Sequence, residues 1–294
     1  MAAYPRGATL KKVIFNADDF GLTPNVNKGI IEAHIKGVIT STTLMVNMPA
    51  ADNAVQLARM TPTLAVGLHL TLTDGKPILP PRIVPSLVND DGRFFKRHQF
   101  ERRILLGKVN VDEIEKEFRA QVLKYLDYGL PLTHLDSHQH VYIYPCIWQI
   151  VLKLAKEYAI PLRYPEEQFI LIGKLPSLMN WRFFRKVILR IMCRWNRIAL
   201  RRSKVKSNDY FFSVFGIFPK PPSIDLHTFE LILRRIKDGV TEIMCHPGYV
   251  DDVLSSISDI VEQREQELEA LKASSLKELI CELNIELGTY RDVR

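Results

Sequence analysis

Several features that would narrow the choice of protein class are missing from this chain of 294 residues. No apolar run approaches the ~18 residues that a membrane-spanning helix needs. The opening MAAYPRGATLKK lacks the apolar core of a secretory signal. The four cysteines are isolated and form neither a Cys-x-x-Cys pair nor a disulfide-like framework. We therefore expect a cytoplasmic protein with reduced cysteines.

Acidic residues are missing between Glu167 and Asp209, and that stretch holds eleven of the 40 basic residues. Without these eleven, the chain has 29 basic and 33 acidic residues, so its formal charge changes from +7 to −4. The body of the protein is thus mildly acidic, and one segment carries the excess positive charge. A general nucleic-acid-binding surface does not fit this distribution, and no nucleic-acid partner is expected.

The basic segment has its own pattern, which predicts a helical insertion at about residues 174–208. An apolar stripe recurs in it at helical spacing and consists of Phe184, Ile188, Ile191, Trp195 and Ile198. The basic residues that fall largely on the other side are Arg182, Lys186, Arg190, Arg197 and Arg201. Two interpretations stay open: a helix packed on the body with a solvated basic face, or a helix that contacts an anionic membrane through residues 182–206 or covers the site mouth.

Strand-like and helix-like segments alternate along the chain without a linker or a clear domain break. The expected strands are Val13–Ala17, Val38–Val46, Leu64–Leu70, Leu132–Asp136, Pro161–Tyr164, Val240–Cys245 and Ile285–Tyr290. The expected helices include one that starts at Thr23-Pro24, one at Pro145–Ala159 and a charged one at Ile257–Leu271. Alternation of this kind favours parallel strands with crossover helices, here a distorted (β/α) barrel of seven or eight strands in a single domain of residues 1–294.

Polar residues collect where these strands end, which is where barrels of this type place functional groups. The pair Asp18-Asp19 follows the first strand, His69 lies at the end of the third, and His246 follows the strand in TEIMCHPG. Adjacent like charges repel and are costly to bury, so the pair makes sense if a metal ion lies nearby. One carboxylate then binds the metal while the other stays free as a base.

The fourth strand end reads HLDSHQH. Alternate side chains of an extended chain share a face, so His134, Asp136, His138 and His140 are predicted to point together toward the barrel mouth. One carboxylate and two imidazoles suit zinc and other divalent ions and leave positions for water and substrate. Such a site, together with a neighbouring base and acid, is typical of a hydrolase.

The motifs NADDFG, GLHLTLT, HLDSHQHVY, MCHPG and LGTYRDV resemble those of the YdjC-type carbohydrate deacetylases, the group of chitooligosaccharide deacetylases and hopanoid biosynthesis-associated deacetylases. The motifs span residues 16–293 in the family's order. The resemblance implies a polysaccharide-deacetylase-like barrel with one divalent metal ion, Mg²⁺ or Zn²⁺. It also implies removal of an N-acetyl group from an amino sugar, in an oligosaccharide or a glycolipid.

The resemblance also implies roles for individual residues. Asp19, His69 and His138 would bind the metal. Asp18 would be the general base and His246 the general acid. The residues implied for substrate contact or support of the site are Arg163, His140, Asp136 and Arg264.

One position departs from the family's pattern. Tyr142 occupies a place where the family often has a further histidine. This difference affects the expected substrate contact at the rim of the barrel, so the family's sugar specificity does not carry over directly to this chain. Two other classes of function stay open: a phosphoesterase or other amidohydrolase that uses a metal, and a non-catalytic protein that binds metal, sugar or lipid on the same fold. The sequence leaves the oligomeric state open, a homodimer included.

Overall fold

The computed structural model describes residues 11–172, 181–218 and 223–293. In these ranges the strands are β1 (Lys11–Phe20), β2 (Ser41–Leu44), β3 (Ala65–Leu70), β4 (Leu135–Ser137), β5 (Ile170–Leu171), β6 (Tyr210–Ser213), β7 (Ile217–Phe218), β8 (Gly239–Cys245) and β9 (Ile285–Leu287). The α-helices are α1 (Pro24–Ile35), α2 (Ala51–Met60), α3 (Arg97–Leu105), α4 (Val111–Asp127), α5 (Pro145–Glu157), α6 (Trp181–Ser203), α7 (Leu226–Leu233), α8 (Asp252–Ile257), α9 (Glu262–Lys272) and α10 (Ser274–Glu282). Short 3₁₀ segments cover Pro81–Ile83, His138–Ile143, Val214–Gly216 and Tyr290–Asp292.

The main sheet is parallel, with strand order β4-β3-β2-β1-β8-β6, and β9 adds to the first residues of β1. The open side is spanned by the segment around Leu162, which bridges to Leu135 of β4 and donates its backbone N–H to Lys206, 2.9 Å away. The sheet therefore curls into an incomplete barrel. This confirms the distorted (β/α) barrel that the alternation of segments predicts.

The chain forms these elements for local reasons that the sequence shows. Helix α1 begins where expected, because the Thr23 hydroxyl accepts a hydrogen bond from the N–H of Val26 and Pro24 fits the first helical turn. The inner side of α5 is apolar and includes the fully buried Trp148. Helix faces of this kind cover the outside of the strands, and most buried apolar residues form one continuous core with the sheet. Ile14, Tyr290 and Val293 form a second, small cluster.

Two predicted elements differ in the structure. Pro161–Tyr164 holds a single bridge and no strand, since Pro161 lacks an N–H and the N–H of Tyr164 bonds to the side chain of Asn208. The charged helix predicted at Ile257–Leu271 begins only at Glu262, as α9, because residues 258–261 form a turn after α8. The hydroxyl of Ser258 bonds to both the N–H and the C=O of Ile260 and closes a turn between the two helices.

Helix α6 lies within the predicted basic segment, whose residues 174–180 fall outside the described ranges. The helix packs on the body, as the first interpretation expects, but through Cys193, Asn196 and Leu200 and not through its apolar stripe. The stripe faces solvent, with Trp195 68% exposed and Ile198 59% exposed. The physical reason is the row of basic side chains, because Arg185, Lys186 and Arg197 are drawn toward carboxylates of the body.

None of the helices in the described parts of the chain combines the length and the apolar character that crossing a bilayer requires.

Gly29 of α1 gives a test of the contact between this helix and the loop after β8. A Cβ added at Gly29 would lie 2.6 Å from the Cα of Gly248. Alanine gains ~1 kcal/mol over glycine inside a helix, but an overlap with backbone costs roughly 1–3 kcal/mol. We expect Gly29→Ala to lower the free energy of unfolding in a urea titration. The exposed control Gln56→Ala should change it by less than about 0.5 kcal/mol, and a stabilised Gly29→Ala protein would contradict the contact.

Candidate metal centre and active site

The end of β1 brings both adjacent carboxylates into one site. The pairing register with β2 shifts between Ala17 and Phe20, and Asp19 has a φ of +69°. A regular strand would send the side chains of Asp18 and Asp19 to opposite faces. The bulge removes that alternation, and both side chains are almost completely buried among the polar residues of the barrel. The sequence analysis places the pair after the first strand, whereas β1 extends to Phe20 and includes the pair at its bulge.

Three side chains from three strand ends converge, as predicted for the metal ligands. The Oδ1 atom of Asp19 lies 3.5 Å from Nε2 of His69 and 3.0 Å from Nδ1 of His138. All three ligand atoms lie within 4.8 Å of one another. Two atoms that each lie about 2.1 Å from one ion are about 3.0 Å apart at a right angle and about 3.4 Å apart at a tetrahedral angle. The observed separations fit ligands of one ion.

Two of these atoms also lack a well-oriented hydrogen bond, although they lie 3.5 Å from each other. Asp19 Oδ1 and His69 Nε2 are buried and make no hydrogen bond in the described structure. Buried polar atoms are normally hydrogen-bonded, and an unpaired one needs an explanation such as an ion. A divalent cation would satisfy both atoms, so the residues present fit a metal.

Other residues hold the three candidate ligands in place. The Asp136 carboxylate lies 2.6 Å from Nδ1 of His69, which leaves Nε2 pointing toward Asp19. The Asp74 carboxylate lies 3.0 Å from Nε2 of His138. This arrangement, in which a carboxylate holds the far nitrogen of a ligand histidine, is typical of metal sites.

Asp19 is fixed from the opposite side by Arg264. The guanidinium Nη2 donates to Asp19 Oδ2 at 2.5 Å, so only Oδ1 is directed toward the histidines. Arg264 is 1% exposed and also donates through Nε to the backbone oxygen of Ile260. One oxygen of Asp19 is therefore neutralised by the protein, and the other remains available.

A second cluster centres on Arg163, which is fully buried. Its guanidinium donates to both oxygens of Asp18, at 2.6 and 2.8 Å. It also lies 2.7 Å from Asp136 Oδ2 and donates through Nε to Glu242 Oε1 at 2.8 Å. One cation thus contacts carboxylates from β1, β4 and β8. Because Asp18 and Asp136 already have this cation, the protein itself balances their charge in part.

Glu242 is a buried site residue that the sequence analysis missed. It accepts a hydrogen bond from the hydroxyl of Tyr290, and burial raises its pKa to about 7 despite Arg163. The signal was present in TEIMCHPG, where an acidic residue stands inside an otherwise apolar strand. Asp74 was missed as well. It follows GLHLTLT and lies outside a strand, so nothing in the spacing connects it with His138.

His246 lies beside this cluster at the end of β8. Its backbone N–H donates to Glu267 Oε2 at 2.8 Å, and its Nδ1 is buried without a hydrogen-bond partner in the described structure. Burial lowers the pKa of His246 to about 4, although the charges of Asp19 and Asp18 oppose this. Burial also raises the pKa of Glu267 to about 8. The ring is therefore neutral at pH 7 and close to both carboxylates of β1.

The HLDSHQH motif is extended only in part. Strand β4 ends at Ser137, and Gln139 and His140 have φ values of +55° and +56°, so the predicted alternation does not reach His140. The His140 ring packs edge-to-face on Phe211 instead, with 5.5 Å between ring centroids. The cause is the 3₁₀ segment that begins at His138 and turns the chain away from the strand direction.

The remaining aromatic groups of this region are structural. His134 stacks on Tyr290 with 3.8 Å between ring centroids, and its ring lies against Gly67, where any Cβ would overlap it. Tyr142, where the sequence analysis expects a departure from the family's pattern, is fully buried and donates its hydroxyl to the backbone oxygen of Arg163 at 2.6 Å. The tyrosine therefore supports the Arg163 cluster from the rim of the barrel.

The electrostatics of the whole site favour a bound cation. Burial alone would lower the pKa of His69, but Asp136, Asp19 and Asp18 outweigh it and raise that pKa to about 10. Burial raises the pKa of Asp18, yet Arg163 holds it well below its usual range. The pKa of Asp19 is likewise held low, against burial, chiefly by Arg264. The pocket thus concentrates ionised carboxylates around two imidazoles.

Of the residues predicted to contact substrate, Asp136, Arg163 and Arg264 are at most 1% exposed. They bind other site residues, as described above. His140 is partly buried near the rim, and its contact with substrate stays a prediction.

These features define a class of protein, a parallel (β/α) half-barrel with a His-His-Asp cluster at the carboxyl ends of its strands. The family model described as YdjC-like protein matches residues 12–282. The chain belongs to the YdjC-like family, which confirms the resemblance seen in the sequence.

Similar proteins cover nearly the whole chain. A protein of Brevibacillus brevis (strain 47) named carbohydrate deacetylase is 38% identical over 283 residues, which are 96% of this chain and 99% of that protein. A protein of the same name from Vibrio cholerae serotype O1 is 37% identical over 95% of each chain. A crystal structure from Enterococcus faecalis V583, named for cellobiose-phosphate cleavage, is 35% identical with a TM-score of 0.74 and covers 96% of this chain and 98% of its own.

The buried carboxylate of Glu242 gives a test based on pH. Between about pH 4.5 and 7 the unfolded chain has released this proton while the folded protein keeps it. Rising pH therefore lowers the free energy of unfolding across this window, by up to about 1.4 kcal/mol per pH unit. We expect Glu242→Gln to remove this part of the slope when urea unfolding is measured from pH 5 to pH 8. The exposed control Glu282→Gln should follow the wild-type profile. A Glu242→Gln profile parallel to wild type would show that the group is already ionised at pH 5.

Proposed function

We propose that this protein is a metal-dependent carbohydrate deacetylase, which hydrolyses the N-acetyl group of an amino sugar in an oligosaccharide or a glycolipid. The observation that carries the proposal is the convergence of Asp19, His69 and His138, with two buried ligand atoms that make no hydrogen bond in the described structure. Full-length relatives named carbohydrate deacetylase support the substrate class. Acetate and a free amine are the expected products.

The metal would be held by Asp19 Oδ1, His69 Nε2 and His138 Nδ1. Two imidazoles and one carboxylate suit Zn²⁺, and Mg²⁺ is the alternative. A bound divalent ion polarises a carbonyl oxygen and lowers the pKa of water. The remaining steps depend on side chains of this chain.

The charge balance supports one ion and argues against two. Asp18, His69 and Asp136 form a second group with metal-like spacing. Arg163 already contacts both carboxylates of that group, and His69 Nδ1 is bonded to Asp136. A second cation there would have to displace a fully buried guanidinium, which is unfavourable. The geometry thus favours hydrolysis at a single metal over a two-metal phosphoesterase.

Asp18 is the proposed general base. Arg163 donates hydrogen bonds to both oxygens of Asp18, and the amide of Asn16 donates to Oδ1 at 2.8 Å. The carboxylate is therefore ionised and held in one orientation. An ionised carboxylate can accept a proton from the attacking water. Its low pKa makes it a weak base, so the proton would have to pass onward quickly.

His246 is the proposed general acid, which donates a proton to the leaving nitrogen of the sugar. Because the pKa of His246 is about 4, the ring is a neutral imidazole at pH 7. It can act as an acid only after it has received a second proton during the reaction. The neighbouring carboxylates of Asp18 and Asp19 would stabilise the imidazolium that forms.

Asp136, Arg163 and Arg264 act in this proposal as positioning residues. Asp136 orients His69, Arg163 orients Asp18, and Arg264 leaves one oxygen of Asp19 directed toward the two histidines that would hold the ion. Their burial supports this role over contact with the substrate. His140, at the edge of the site, remains the proposed substrate contact of this set.

The metal assignment predicts that His69→Ala loses the ion while the fold survives. The variant removes one of three ligands, and Thr43 and Arg163 still contact Asp136. We expect metal per chain, measured by elemental analysis after purification with added zinc, to fall at least about tenfold. Circular dichroism should match wild type. The control His227→Ala changes a 73% exposed histidine and should keep its metal. Stoichiometric metal in His69→Ala would rule out the assignment.

The proposed reaction predicts acetate release from N-acetylated sugars that a chelator abolishes and added zinc, magnesium or manganese restores. Asp18→Asn should keep its metal and lose activity by roughly 10²–10⁴-fold, because general-base catalysis contributes about that much. Assays across oligosaccharide and glycolipid substrates would identify the class. An active Asp18→Asn enzyme would exclude this base, and acetate release that resists chelation would exclude the metal.

A further inference from the structure

Helix α6 presents its apolar stripe to solvent. Ile191, Trp195 and Ile198 are 44%, 68% and 59% exposed, and Ile188 continues the stripe at 37%. These residues are three or four positions apart and therefore share one side of the helix. Exposed apolar residues are common singly, but a continuous stripe of large ones marks a surface that is covered by something else.

The orientation of α6 is fixed by its other side. Cys193, Asn196 and Leu200 are buried, and the amide of Asn196 donates to the backbone oxygen of Ile143 at 2.7 Å. The hydroxyl of Tyr164 donates to the backbone oxygen of Cys193 at 2.7 Å. These bonds anchor the helix through its polar groups, so the stripe points outward as part of the native packing.

Basic side chains border the stripe. Arg190, Arg194 and Arg197 all lie near one carboxylate, that of Glu166, which neutralises only one of the three charges. Beyond them are four exposed basic residues with no ion pair to the described parts of the chain: Arg201, Arg202, Lys204 and Lys206. A groove of about 720 Å³ follows the other border, between α5 and α6, and Lys153 and Lys156 line it.

The charges decide which occupant fits. A second copy of the chain packed through the same face would bring basic borders together, and residues 168–208 contain no acidic side chain to offset them. Like charges across an interface are unfavourable. An anionic lipid surface fits both the apolar stripe and its basic borders. Lipid phosphates bind the basic side chains, while Trp195 and its neighbours enter the apolar region of the bilayer.

We propose that α6 is a membrane-docking helix, which lies in the interface of an anionic bilayer with Ile188, Ile191, Trp195 and Ile198 inserted. Helix α6 also packs on the segment His138–Ile143, which carries a candidate metal ligand. Docking through α6 would therefore bring the rim of the barrel close to the lipid surface. The inference concerns lipid binding alone and does not depend on the proposed reaction.

The test compares wild type with two variants by co-sedimentation with vesicles of phosphatidylcholine, with and without phosphatidylglycerol. One variant carries Trp195→Gln and Ile198→Gln. The other replaces the four exposed basic residues by glutamine: Arg201, Arg202, Lys204 and Lys206. Arg190, Arg194 and Arg197 are left unchanged, because they neutralise the buried Glu166 and their loss would destabilise the fold.

Each variant has a matched control. Met60→Gln with Leu105→Gln changes two residues that are 72% and 79% exposed on other helices. The control for charge replaces four exposed lysines elsewhere by glutamine: Lys108, Lys116, Lys237 and Lys277. Trp195→Phe keeps the stripe apolar and should bind like wild type, but it should lack the fluorescence blue shift that Trp195 gives on entering lipid.

We expect wild type and the controls to bind anionic vesicles at low salt and to be released at ~1 M salt, where the Debye length is about 3 Å. Both α6 variants should lose at least about tenfold in partition coefficient. The proposal is overturned if wild type does not bind, or if the α6 variants bind like the controls. It is also overturned if wild type binds neutral vesicles equally well, or if ultracentrifugation shows a dimer that Trp195→Gln with Ile198→Gln dissociates while neither protein binds lipid.

Discussion

The buried guanidinium of Arg163 organises the interior of this barrel. It contacts carboxylates that arrive from three different strands, at Asp18, Asp136 and Glu242. A single unpaired charge in such a place is strongly unfavourable, and removal of one partner from a buried pair typically costs about 3–5 kcal/mol. The three strands are therefore held in register by one cation as well as by their hydrogen bonds. Tyr142 and Tyr290 complete the cluster by binding the Arg163 backbone and the Glu242 side chain.

The same cluster determines where another cation can bind. Three carboxylates share the one positive charge of Arg163, and protonation of Glu242 at a pKa of about 7 relieves part of the excess negative charge of this cluster. Asp19 differs from the other carboxylates, because Arg264 takes one of its oxygens and leaves the other beside two imidazoles. Asp19 Oδ1 is thus the carboxylate oxygen that faces both candidate ligand histidines. A divalent cation bound at this position would be held by the two imidazoles and by this oxygen.

Sequence reasoning predicted the barrel and the collection of polar residues at its strand ends because both follow from local patterns, whereas the roles of individual residues came from the family resemblance. Alternating segments indicate parallel strands, and residues such as Asp19, His69 and His138 stand at strand ends, where topology brings them together. Glu242 and Asp74 could not be found in this way. Glu242 acts through Arg163, which is distant in sequence, and Asp74 follows a strand at no regular spacing. The turn at His138 was also missed, because the left-handed backbone of Gln139 and His140 depends on packing and not on residue type.

Helix α6 shows a different limit of sequence reasoning. Periodicity reveals that an amphipathic helix has an apolar side, but it does not reveal which side faces the body of the protein. Here Glu101, Glu166 and Glu167 lie outside the helix and attract its basic side chains, and Asn196 bonds to the backbone of the loop below. Burying those carboxylates without partners would be costly, so the basic side chains of α6 face the body of the protein. The apolar stripe therefore faces solvent. The polar contacts of α6 with the body keep the apolar stripe exposed to water. The interface of an anionic bilayer would lower the free energy of such a stripe with basic borders.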